Sequence, residues 1–287
     1  RIVIPVRLEL LMSWLGGKWI SIYAILVIPI LSVVVYLCTQ DVATDMMREP
    51  HPSTAAVVQF YDLVGGILMN DYYHWAFEEK AMDEMIEHCG LRQGQTILEV
   101  GPGSGFLGRK VLQNLTAEIS EGDNNVTYIG VDMSKTMYDI ATQTLKPYID
   151  AGVASLYLTN DTFGFISDSD LKVDRVIFTY VLDLLPTAVI DKFASLWYEK
   201  LQLHSTSKVC VVNLTYGQTY LSRFVTNVWL VLYRVLGGEY VGGCRPIRIL
   251  DFFRVSDGYQ VEYKSNVVSF GLPSEVVVLS IQSSSRQ

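Results

Sequence analysis

The chain has 287 residues, enough for one large α/β domain plus an attachment. Half of its residues are hydrophobic and its formal net charge is -8 without any block of Lys or Arg. This excludes a basic groove for DNA or RNA and leaves more apolar side chain than a water-facing domain of this size uses. The four cysteines, Cys38, Cys89, Cys210 and Cys244, contain no C-x-x-C pair and read as buried thiols of a reducing compartment. The four histidines are scattered, so no metal is expected.

In chain order, residues 20–38 carry no charged side chain and approach the length that crosses a bilayer. Trp14, Trp19 and Lys18 flank one end and Tyr36 the other, as at headgroup depth. The pattern predicts a single-pass transmembrane helix, kinked at Pro29, within a membrane anchor of residues 1–40. A linker of residues 41–55, containing Pro50 and Pro52, leads to a catalytic domain of residues 56–287. Arg1, Arg7 and Lys18 precede the segment and Arg48 follows it, which sets neither the membrane nor the side.

Next comes an amphipathic helix over residues 78–89, then a short buried strand at residues 96–100, then Gly101-Pro102-Gly103-Ser104-Gly105 and another helix. Phe106 stands where a dinucleotide loop has its third glycine, and the Lys-Ser/Thr ending of a P-loop is missing. A second strand, residues 126–131, ends in Asp132-Met133-Ser134 after a polar surface insertion at residues 117–125. Strands follow at 154–158, 174–179 and 208–214. Two more, at 260–268 and 275–282, are joined through Phe270-Gly271-Leu272-Pro273 as a terminal antiparallel hairpin.

Glu99-Val100-Gly101-Pro102-Gly103-Ser104-Gly105 resembles the first motif, E/D-x-G-x-G-x-G, of class I S-adenosylmethionine-dependent methyltransferases, and the resemblance covers residues 56–282. It implies an α/β fold with a Rossmann-like sheet and S-adenosyl-L-methionine as cofactor. Glu99 would hold the ammonium of the methionine moiety, with Gly101, Pro102, Gly103 and Gly105 forming the loop beneath it. Asp132, followed by Met133, would accept the ribose hydroxyls, and Asp161 with Thr162 would meet the adenine. Tyr180, Leu182 and Asp183 would line the rim near the methyl donor.

Transfer from a sulfonium needs positioning and a dry site more than a dedicated nucleophile, so a base is optional. His74 and Tyr180 are the catalytic candidates, with Tyr61, Tyr72 and Tyr73 as further possible bases. The apolar stretch 224–236 is either an ordinary buried helix or an acceptor-binding cap dipping into a bilayer, with Arg245 or Arg248 meeting an anionic headgroup. The expected activity is methyl transfer to a small hydrophobic or lipid-like acceptor at a membrane, with no nucleic acid partner. The alternative is a methyltransferase-fold scaffold subunit of a membrane protein complex.

Overall fold

The computed structural model describes residues 28–39, 51–116, 126–169, 171–201 and 206–281. A seven-stranded sheet is made of β1 (Thr96–Val100), β2 (Thr127–Asp132), β3 (Ala154–Leu158), β4 (Arg175–Thr179), β5 (Lys208–Leu214), β6 (Tyr259–Ser269) and β7 (Leu272–Ile281). Its order is β3-β2-β1-β4-β5-β7-β6, with the first five strands parallel and β7 antiparallel to both β5 and β6. The central strands are short, apolar and buried on both faces, as parallel strands covered by helices must be. Successive residues feed opposite layers: Ile97 packs with Met85, Leu112 and Tyr128, and Leu98 with Phe178, Trp197 and Phe253. The strand order reverses between β1 and β4, opening a crevice beyond their carboxyl ends.

Two helices, α1 (Ile28–Thr39) and α2 (Thr54–Phe60), precede those that cover the sheet. The latter are α3 (Glu79–Cys89), α4 (Phe106–Thr116), α5 (Lys135–Thr144), α6 (Lys146–Asp150), α7 (Thr162–Ser167), α8 (Thr187–Leu201) and α9 (Tyr220–Leu236). Ser134 caps α5 by accepting from the Met137 N–H, which starts that helix directly after Asp132. The hairpin turn is tighter than expected, because Leu272 and Pro273 already belong to β7. Only Phe270 (φ 49°) and Gly271 (φ 88°) turn, both left-handed as a two-residue hairpin of this kind requires.

Two expectations are not supported by the fold. Of the expected transmembrane segment, residues 20–38, the structure describes residues 28–38, which lie in α1. The remainder lies outside the described residues, as do residues 41–50 of the expected linker and the insertion at 117–125. Among the described residues no helix is long and apolar enough to cross a membrane. Helix α1 lies against α9, and the Asn227 side chain donates to the Leu37 carbonyl at 2.5 Å. The second correction concerns the cysteines: Cys89 and Cys210 form a disulfide, while Cys38 and Cys244 are free. Packing of the end of α3 against β5 brings their Cα atoms to 6.0 Å, inside the range a disulfide bridges.

Candidate functional site

A cavity of about 1020 Å³ opens at the carboxyl ends of β1, β2 and β4. It exceeds the roughly 300–1,000 Å³ usual for a drug-sized ligand, so it has room for more than one nucleoside-sized molecule. At one end lies the glycine loop. Gly101 (φ 67°) could not carry a side chain, because a Cβ would stand 2.6 Å from Val181 Cγ2. Gly103 (φ 55°) differs: a Cβ there would meet nothing within 4 Å, since it would point into the open cavity. The backbone is thus bare where a ligand would approach it most closely.

Two buried carboxyls face this end. Glu99 at the end of β1 accepts from the Tyr128 hydroxyl, which reaches it diagonally from β2 on the same face of the sheet. Burial raises the Glu99 carboxyl to about 7, against the lowering effect of that hydrogen bond and with help from the Asp132 charge. Asp132 at the end of β2 accepts from the Ser134 N–H at 2.8 Å and the Gly103 N–H at 3.3 Å. Burial raises it to about 6, the backbone hydrogen bonds opposing the rise. Both acids are held where a ligand bearing an ammonium and a diol would relieve their desolvation.

The other end is apolar and is walled by α9 through Phe224, Val228 and Trp229, with Tyr240 and Cys244 beyond. Tyr61, Tyr73 and Tyr180 stand between the two ends, and burial, reinforced by Glu78 and other nearby acids, holds all three phenols far above their ordinary value. They are hydrogen-bond donors and not bases. Tyr180 takes a left-handed conformation (φ 51°), and its hydroxyl lies 2.7 Å from Ser274 Oγ. Such strain in a non-glycine residue is kept where the surroundings over-determine it. His74 is engaged at both nitrogens: Nδ1 lies 2.7 Å from Glu78 Oε2 and Nε2 2.8 Å from Ser104 Oγ. A carboxylate only accepts, so Nδ1 donates. Both nitrogens are thus engaged by protein side chains, which ties His74 to Glu78 and to the glycine loop.

Of the residues expected to bind cofactor, Glu99, Gly101, Pro102, Gly103, Asp132, Met133, Asp161, Thr162 and Tyr180 line this one cavity, as does His74. Gly105 does not: a Cβ there would press on Ala141 of α5 at 3.2 Å, so it serves helix packing. Asp161 caps α7 through Oδ1, which accepts from the Gly164 N–H at 2.9 Å. Tyr72 is exposed on the outside, away from the cavity. Arg245 is buried against the Leu185 carbonyl and Thr187 and cannot reach a headgroup, whereas Arg248 is exposed over the Tyr216 ring. Sequence reasoning overlooked Glu78, Ser104 and Tyr128. Glu78 follows His74 by four residues, a helical spacing that could have paired them. The Tyr128 contact depends on strand register and has no local signal.

Comparison with known proteins bears on the fold. The cyclopropane synthase MmaA2 from Mycobacterium tuberculosis superposes with a TM-score of 0.58 at 12% identity, over 81% of this chain and 99% of that one. Magnesium protoporphyrin IX methyltransferase from Synechocystis PCC 6803, with bound SAH, gives 0.56 at 13% identity over 79% and 99% of the two chains. The [4+2]-cyclase SpnF gives 0.53 at 14% identity over 81% and 98%. In sequence, 46 residues are 39% identical to a ribosomal RNA small subunit methyltransferase A from Synechococcus sp. (strain CC9311), a match spanning 16% of this chain and 17% of that protein. No family profile matches the chain. The chain has the fold of the class I S-adenosylmethionine-dependent methyltransferases.

Proposed function

We propose that the chain is an S-adenosylmethionine-dependent methyltransferase acting on a small, largely apolar acceptor. The observation that carries this reading is the single cavity joining the glycine loop, Glu99 and Asp132 to the apolar chamber under α9. When bound, S-adenosylmethionine supplies a methyl group on a sulfonium, a leaving group that needs no acid. Glu99 would hold its ammonium and Asp132 its ribose, while Asp161 and Thr162 lie where the adenine would rest. Phe224, Val228 and Trp229 would exclude water and orient the acceptor for in-line attack. The neutral phenols of Tyr61 and Tyr73 can donate hydrogen bonds to a polar atom of the acceptor. Without a free base, the site suits acceptors whose attacking atom is already nucleophilic.

Two similar proteins support the choice of acceptor class, since one is a cyclopropane synthase and the other methylates a porphyrin. The outer faces of α1 and α9 support a membrane surface as its source: Val33, Val35, Val231 and Val235 are exposed, and α9 also walls the chamber. A scaffold role gives no reason to bury Glu99 and Asp132 at the cost their raised ionisation records. The test is incubation with methyl-labelled cofactor and a total lipid extract. Label should enter the organic phase with the wild type and, at limiting cofactor, several-fold less with Asp132→Ala; no transfer to any lipid or small-molecule extract would count against the enzyme reading.

A further inference from the structure

The stretch between Thr54 and Glu78 covers the cofactor end of the cavity and leaves part of its apolar surface exposed. Val57 and Ala76 are buried and Phe60, Tyr61, Met69, Tyr73 and Phe77 partly so, whereas Leu63, Ile67 and Trp75 are 72%, 75% and 60% exposed. Hydrophobic packing therefore fixes its position only in part. Besides an exposed ion pair of Asp71 with Arg109 at 3.2 Å, polar contacts that reach the cofactor loops hold it at two points.

The first is Asp62. Its Oδ1 accepts from the Ser134 hydroxyl at 2.6 Å and the Thr136 N–H at 3.1 Å, and its carbonyl accepts from the Thr136 hydroxyl at 2.9 Å. Ser134 in turn donates its N–H to Asp132, so this contact ends on the acid placed for the ribose. The second is His74, tied by Glu78 on one side and bonded to Ser104 on the other. Ser104 belongs to the glycine loop, next to Gly103, whose N–H donates to the other Asp132 oxygen. Each contact thus grips a loop that would hold one part of the cofactor.

Both contacts spring from a π-helical turn. Asp62 lies in the turn Tyr61–Gly65, and His74 and Glu78 bound the turn His74–Glu78. Such turns insert a residue into a helix and re-aim its side chains, and they concentrate at functional sites. Between them the chain breaks at Met69 (φ -87°, ψ 60°) and restarts with Asn70 as cap, its side chain accepting from the Tyr73 N–H at 2.9 Å. The cover is therefore two short rigid pieces with a joint between them.

We propose that Asp62 and the His74–Glu78 pair are positioning residues that latch this cover over bound S-adenosylmethionine, so that cofactor and its product exchange only when both latches open. The proposal rests on the cofactor reading above. Asp62 does not line the cavity, so weakening it should affect cofactor residence more than the transfer itself, whereas Glu78 also acts on the Tyr61, Tyr73 and Tyr180 phenols.

The experiment measures S-adenosylhomocysteine dissociation by stopped-flow displacement, together with the KM for S-adenosylmethionine and kcat, in Asp62→Ala, Glu78→Ala, Asp62→Asn and Glu78→Gln. The alanine variants should release the ligand at least tenfold faster and raise KM by a similar factor, with kcat changing less than threefold in Asp62→Ala. The Asn and Gln variants keep an accepting oxygen and should recover most of the wild-type rate. Hydrogen exchange on the wild type gives a readout that needs no variant: amides of residues 54–78 should gain at least tenfold protection on ligand binding. Alanine variants that are folded but release within twofold of wild type, or a cover whose exchange ignores the ligand, would overturn the latch alone. A wild type that binds no S-adenosylhomocysteine would overturn the cofactor reading and the latch with it.

Discussion

Glu99→Gln separates what the buried carboxyl costs the fold from what it offers a ligand. In the folded chain burial holds this group at about 7, against 4.5 for an ordinary glutamate. Between those values the folded state keeps a proton that the unfolded chain has released. Wild-type stability therefore falls as pH rises from 4.5 to about 7 and is level above that, as far as this group is concerned. At about 1.36 kcal/mol per pH unit the interval amounts to roughly 3 kcal/mol. Glutamine cannot ionise, and its amide oxygen can still accept from Tyr128, so the variant escapes the loss. Urea unfolding should find the two proteins within about 1 kcal/mol at pH 5 and the variant more stable by up to about 3 kcal/mol at pH 8. Cofactor affinity should move the other way, because the amide offers no charge to an ammonium. A stability difference that does not depend on pH, or a variant less stable at pH 8, would refute the assignment of Glu99 as a desolvated acid.

The two loop glycines should respond differently. Gly101→Ala should lower stability by about 1–3 kcal/mol through the clash with Val181 and the left-handed backbone, read as a lower Tm. Gly103→Leu should fold but lose cofactor binding by calorimetry, since its side chain would occupy the open cavity. Val228→Trp should fill the chamber under α9 and raise the acceptor KM at least tenfold while leaving cofactor affinity within about threefold; an unchanged acceptor KM would place the acceptor elsewhere. Thiol labelling in denaturant without reductant should count two cysteines, Cys38 and Cys244, and four after reduction. Loss of the bridge should lower stability by about 2–4 kcal/mol, and four labelled thiols before reduction would contradict it.

The sheet is the part of the fold that the chain states most clearly. Strands such as Thr96–Val100, Ala154–Leu158 and Lys208–Leu214 stand within one or two residues of their pattern-derived limits, because short apolar segments bounded by turns have few other uses. The glycine loop was legible for the same reason, since its residue types are fixed by local backbone geometry. Contacts between distant segments were not. Cys89 meets Cys210 across 121 residues, and Asp62 reaches Thr136 across 74. Nothing in the local sequence of either partner announces the other. Arg245 shows the same limit, because an arginine near an apolar helix reads as a surface cation until the packing buries it. The apolar segment before residue 39 is legible only as composition, the absence of charge over a window: its residues 28–38 are helical, and no described helix is long and apolar enough to cross a membrane.

The central claim is that this cavity binds S-adenosylmethionine through Glu99, the glycine loop and Asp132, and titration calorimetry with S-adenosylhomocysteine tests it most directly. The wild type should bind with one-to-one stoichiometry, and Asp132→Ala should weaken binding by about 1–3 kcal/mol, the scale of a lost charged hydrogen bond. Folded wild-type protein that binds neither S-adenosylmethionine nor S-adenosylhomocysteine, or an Asp132→Ala variant that binds as tightly as the wild type, would contradict it.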